Sequence, residues 1–115
     1  PLDTAKMSEA AKYLIGEHDF ASFCSANSQA QTTVRMIYDC TVSKTGDIIT
    51  IRVTGNGFLY NMVRIIAGTL VKIGGSDMPA DEMKRIIAAT DRAAAGPTAP
   101  ANGLTMIGLE YEKPL

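Results

Sequence analysis

A chain of 115 residues that is 46% hydrophobic has the size and apolar content of one domain with its own core, not of two domains or a disordered tail. Lys and Arg number 11 against 12 Asp and Glu, and the resulting formal charge of −1 gives no compositional argument for a polyanionic partner. Two distant cysteines, Cys24 and Cys40, and a single histidine, His18, form no zinc or thioredoxin-type spacing, so a reduced cytoplasmic domain without bound metal is expected.

The chain opens on Pro1-Leu2 without an initiator methionine or a secretory pattern, so a piece of something longer is expected. Met7, Ala10, Ala11 and Leu14 recur at helical spacing and predict a helix over about Thr4 to Ile15, capped by Asp3 or Thr4 and stopped by Gly16. A polar loop through Ser25–Thr33 leads into VRMIYDCTV, whose alternation predicts a strand with Val34, Met36, Tyr38, Cys40 and Val42 on one face and Arg35, Asp39 and Thr41 on the other. KTGD supplies a turn at Gly46, and IITIRVT resumes the alternation with Ile49, Ile51 and Val53 inward, which together predict an antiparallel hairpin.

A long helix is predicted from Phe58 to about Ile73. Pro79 opens a short one with Asp81 and Glu82 in its first turn and Met83, Ile86 and Ile87 on its buried face. AAAGPTAPANG, from Ala93 to Gly103, is too rich in Gly and Pro for a regular element, and LTMIGLEY reads as a last strand, apolar enough to be central in a sheet. The order predicts an α+β fold, an antiparallel sheet with helices packed on one face, occupying residues 1–115 as a single domain. A membrane span over Gly57–Gly75 is rejected, because Asn61, Arg64 and Lys72 would put polar groups at several depths of the hydrocarbon.

On the long helix Gly57, Asn61, Arg64, Gly68 and Lys72 form one stripe of small or polar residues against an otherwise apolar surface. Pattern alone admits two readings. Either the stripe is a solvated edge, or the glycines mark a close approach of another backbone, in which case Arg64 is partly covered and needs an anion or hydrogen-bond acceptors.

GNGFLYNMVRIIAGTLVKIG, preceded by GEHDFASF at Gly16–Phe23 and followed by AGPTAPANGLTMIGLEY at Ala95–Tyr111, resembles the C-terminal half of the bacterial TruA (tRNA pseudouridine synthase I) family. The resemblance spans nearly the whole chain. It implies half of a pseudouridine synthase fold, acting without cofactor on uridines of the tRNA anticodon stem–loop, in a protein that is generally homodimeric. The family's essential aspartate belongs to a GRTDxGVHA-type motif in the N-terminal half, and no such motif occurs here: Asp3, Asp19, Asp39, Asp47, Asp77, Asp81 and Asp91 all lie in other settings. The family's base-adjacent tyrosine belongs to that half too, so Tyr60 does not inherit its role.

This chain is therefore expected to be one half of a two-half enzyme, inactive alone, whose partners are tRNA, the missing N-terminal half and a second copy of itself. The family's MVR arginine falls on Arg64, which the resemblance makes the basic partner of the absent catalytic aspartate. His18, Arg35, Asn61, Arg92 and Thr98 are the candidate RNA-contacting residues, each with a plainer reading: His18 as a helix-end cap or surface residue, Arg35 and Arg92 as solvated cations, Asn61 as a brace for the Arg64 side chain or a cap for local water, Thr98 as part of a Gly-Pro loop. The other functional class is a non-catalytic α+β RNA-binding or assembly domain on the same scaffold.

Overall fold

In the computed structural model, which describes residues 2–25, 31–100 and the backbone of 105–111, Asp3 starts the first helix by accepting the Lys6 N–H on its carboxylate at 3.0 Å. Helix α1 (Thr4–Lys12) ends three residues before the pattern predicted, and Gly16, at φ +112, turns the chain into strand β1 (Gly16–Asp19). The sequence reading contained no such strand: four residues of GEHD are too few to display an alternation. Short 3-10 turns follow at Ala21–Phe23 and, later, at Arg92–Ala94.

Strands β2 (Val34–Thr45) and β3 (Ile48–Gly55) form the predicted antiparallel hairpin around a two-residue Gly46-Asp47 turn. Gly46 sits there at φ +60, where a side chain would be strained. The facing of β2 differs from the prediction in its first half. A bulge between Ile37 and Asp39 shifts the phase of the strand, so Ile37 is buried while Val34 and Tyr38 are 43% and 39% exposed. Beyond the bulge Cys40 is buried and Val42 half-buried, as the alternation predicted, and on β3 Ile51 and Val53 are buried with Ile49 half-buried.

Helix α2 (Met62–Gly74) and helix α3 (Glu82–Ala89) then connect β3 to β4 (Thr105–Tyr111). The sheet order is β1-β2-β3-β4, with β2 antiparallel to both of its neighbours, β1 and β3. β4 runs parallel to β3, from Thr50 opposite Thr105 to Gly55 opposite Tyr111. The long β3–α2–α3–β4 connection is what a parallel pairing requires. Among the described residues β4 lies at the edge of the sheet, not at its centre. An apolar run in sequence argues for a strand but does not specify its position in the strand order.

The fold is α+β, with the core on one side of the sheet. Ile37, Ile51 and Val53 face a layer made by Met62, Ile65, Ile66, Leu70 and Ile73 of α2, Met7 of α1 and Leu14 just beyond it, Met83 and Ile86 of α3, and Phe20 and Phe23. At about 1.5–3 kcal/mol for each large apolar side chain removed from water, α2 is the principal source of stabilisation. Asp39, Thr41 and Arg52, on the other side of the hairpin, are exposed. Among the described residues no helix is long and apolar enough to cross a membrane.

Candidate functional site

The segment 57–61 is not helical, although its apolar residues continue the helical period. Asn61 stands at φ 59, ψ 10, in the left-handed region, and the helix begins only at Met62, with Ile65 N–H donating to the Asn61 carbonyl at 2.9 Å. Asparagine tolerates that conformation better than most residues, so it reverses the chain at the mouth of α2. Gly57 and Asn61 are therefore off the helical stripe, which on α2 itself consists of Arg64, Gly68 and Lys72.

Arg64 is half-buried on the first turn of α2 and lines, with Phe58, Leu59, Asn61, Met62 and Val63, a hollow of about 210 Å³. It is bound to the loop after α3 at two points. Arg64 Nε donates to the Ala99 carbonyl at 2.8 Å, and Ala99 N–H donates back to the Arg64 carbonyl at 2.9 Å. A guanidinium carries five N–H donors, of which this arrangement uses one. Among the described residues none accepts from the two Nη groups, whose fork has the geometry that suits a carboxylate.

The 95–99 loop reaches Arg64 because α2 and the loop both lack side chains where they cross. A Cβ added to Gly68 would lie 1.7 Å from the Pro97 carbonyl oxygen, and one added to Gly96 would lie 2.8 Å from Thr69 Cα. Thr69, fully buried on α2, donates its hydroxyl to the Ile65 carbonyl at 2.7 Å and accepts Gly96 N–H at 2.9 Å. Arg92 holds the same loop from outside, donating from Nη1 to the Gly96 carbonyl at 2.8 Å and from Nη2 to Thr98 Oγ1 at 3.3 Å.

The structure thus gathers Arg64, Arg92 and Thr98 around one loop, with Asn61 on the wall of the Arg64 hollow. Asn61 Nδ2 donates to Ser25 Oγ at 3.2 Å rather than bracing Arg64. His18 and Arg35 form a separate pair, opposite one another in the β1–β2 ladder. His18 Nε2 lies 3.0 Å from the Ile15 carbonyl, which can only accept, so that nitrogen carries the proton, and its ring meets Phe20 edge-on at 5.6 Å. Arg35 Nη1 donates to the Thr32 and Val34 carbonyls at 2.8 and 2.7 Å.

Two participants escaped the sequence reading. Thr69 left a trace, as the one hydroxyl among the apolar residues of α2. Ala99 left none, since it contributes only backbone. A larger hollow of about 330 Å³, lined by Leu2, Gly68, Val71 and Pro97 to Pro100, carries no ionisable side chain, whereas the smaller one includes Arg64. Among the described residues no group of three metal-ligating side chains comes together.

The family model described as tRNA pseudouridine synthase matches residues 10–112. The chain is 53% identical over 111 residues, 96% of its length, to tRNA pseudouridine synthase A of Brevibacillus brevis, covering 46% of that protein. It is 50% identical over 111 residues, again 96% of the chain, to the protein of the same name from Bacillus subtilis strain 168, covering 45% of it. The corresponding figures for the protein of that name from a Thermoanaerobacter species are 47% over 111 residues, 96% and 46%. The chain spans under half the length of these curated relatives, and, with almost all of its own residues matched, it belongs to the tRNA pseudouridine synthase family.

Proposed function

We propose that this chain forms one wall of the catalytic cleft of an isomerase that converts uridine to pseudouridine in the anticodon stem–loop of tRNA. The observation that carries the reading is the half-buried Arg64, fixed through Nε to Ala99 with its Nη fork turned to no described acceptor, beside a hollow at the mouth of α2. Its role is to meet the catalytic carboxylate of an aspartate delivered by an N-terminal half. An aspartate in a partly dry cleft would tend to take up a proton, and a fixed guanidinium opposes this by stabilising the anion. Arg64 is then an orienting and charge-stabilising group, not a nucleophile.

The reaction breaks the N1–C1′ glycosidic bond, joins C1′ to C5 of the same uracil, and transfers the C5 proton away while N1 gains one. It is balanced without an oxidant or a cofactor. Extruding the base from its stack costs a few kcal/mol, which contacts to the RNA from both halves offset. His18, Arg35 and Asn61 remain the candidate RNA contacts on this half. Arg92 and Thr98, the other two candidates, are bonded to each other and engaged within the loop instead. The protein is proposed to act in the cytoplasm as a homo-oligomer. A non-catalytic RNA-binding or assembly domain accounts less well for an arginine whose fork meets no acceptor among the described residues, and the match across the family model does not favour it.

The test is reconstitution. The chain alone is expected to form no pseudouridine, and fusion or addition of an N-terminal half carrying the aspartate motif is expected to give release of tritium from tRNA labelled at uracil C5. In that restored enzyme Arg64→Ala should lower the rate by at least about a hundredfold, the scale of losing a preorganised charge partner. A restored enzyme whose Arg64→Ala variant keeps wild-type activity would overturn the role assigned to Arg64.

A further inference from the structure

The restraints on the 96–99 loop exceed what a connecting segment needs, and they converge on one residue. Both backbone polar groups of Gly96 are held: its N–H by Thr69 Oγ1 at 2.9 Å from the α2 side, and its carbonyl by Arg92 Nη1 at 2.8 Å from the other. The second Nη of Arg92 reaches Thr98, so one planar fork spans residues 96 and 98. Gly68 removes the side chain that would keep the Pro97 carbonyl off the helix. The next residue, Ala99, exchanges two hydrogen bonds with Arg64.

We propose that Arg92 and Thr69 are positioning residues for Arg64, acting through the 96–99 loop. This rests on the role given to Arg64 above. An arginine side chain has several rotatable bonds, and its fork points reliably at an incoming carboxylate only if its Nε acceptor is itself fixed. That acceptor is a loop carbonyl, which the protein immobilises by gripping the loop three residues upstream. Arg92, which in the sequence looked like a cation available to phosphate, is on this account committed to the loop.

The experiment uses the two-half enzyme, measuring the single-turnover rate of pseudouridine formation and the affinity for tRNA separately. Arg92→Gln and Thr69→Val are each made alone and together with Arg64→Ala. Each single variant is expected to lower the rate roughly tenfold to a hundredfold, as a small misplacement of a reacting group does, with tRNA affinity unchanged. Thr69→Ser, which keeps the hydroxyl, should restore most of the rate. In the Arg64→Ala background the further loss should shrink to less than about twofold, because residues acting through one another are not additive.

Full losses that persist in the Arg64→Ala background overturn the proposal, as does an Arg92→Gln enzyme that binds tRNA more weakly at an unchanged rate, the signature of a phosphate contact. If Arg92→Gln does not fold, the near-isosteric Thr69→Val and its Thr69→Ser rescue decide the matter. An unchanged rate for Arg64→Ala itself would overturn the functional reading beneath this proposal, which additivity alone would leave standing.

Discussion

A Cβ at Gly68 would fall 1.7 Å from the carbonyl oxygen of Pro97. No rotamer change relieves such a contact, because the backbone fixes the Cβ and its partner is a backbone carbonyl. The position sits inside α2, where glycine costs about 1 kcal/mol relative to alanine, so local propensity alone says that Gly68→Ala should stabilise the chain. The crossing says the reverse. Pushing the loop off α2 also strains the Gly96–Thr69 and Arg64–Ala99 hydrogen bonds. Overpacking of this kind typically costs 1–3 kcal/mol, and against a backbone carbonyl the upper part of that range applies, so after the propensity gain a net loss of up to about 2 kcal/mol is expected. Urea denaturation of the variant measures it, and an unchanged or raised midpoint would mean that the loop does not depend on contact with the helix.

Ser22 ties the Ala21–Phe23 turn to the end of α3. It is fully buried, its hydroxyl donates to the Ile86 carbonyl at 2.7 Å and accepts Asp91 N–H at 2.9 Å. Ser22→Ala preserves the packing of Cβ but removes the only described partner of that amide. Leaving one such donor without an acceptor costs about 1–3 kcal/mol, so the variant should unfold at lower denaturant, and the Asp91 amide should exchange its hydrogen faster than in the parent. Equal exchange at Asp91 in both proteins would show that water replaces the hydroxyl without penalty.

The readable parts of this fold are those where one period runs undisturbed. Met7, Ala10, Ala11 and Leu14 locate α1, and Ile49, Ile51 and Val53 give β3 its inward face, because burial follows the period of the element. Periodicity fails where the backbone changes conformation without a change in side-chain character. Phe58 and Leu59 continue the apolar pattern of α2 through a segment that is not helical, since the left-handed Asn61 stands between them and Met62. Likewise the bulge after Ile37 turns Tyr38 outward, and an inserted backbone residue has no compositional mark. At the site the same division holds. Arg64 stood out as a charge on an apolar helix, and Gly68 as a mid-helix glycine in want of a reason. The acceptor that fixes Arg64 is the Ala99 carbonyl, a group that every residue possesses and that no pattern can single out.

Cys40 gives the protein an alkaline limit. The thiol is 4% exposed on the inward face of β2, and burial, with a smaller push from the Asp39 carboxylate, raises its pKa from 9.0 to about 12. Between those values the folded chain keeps the proton and the unfolded chain loses it. The unfolded state then binds fewer protons, so stability falls as pH rises through this interval, and the contribution is fully present only below about pH 9. Three pKa units correspond to at most about 4 kcal/mol lost by pH 12. Tyrosine and lysine titrate over the same range, so the informative quantity is the difference between the parent and Cys40→Ala. The variant should be the less stable of the two at pH 7, having lost a buried sulfur, and should lose less stability between pH 9 and 11. Denaturation midpoints measured across that range decide it: parallel curves would mean that the thiolate is tolerated in the folded core. The same burial predicts that Cys40 resists alkylation at pH 8 in the folded protein and reacts on unfolding, because the thiolate is the reactive form.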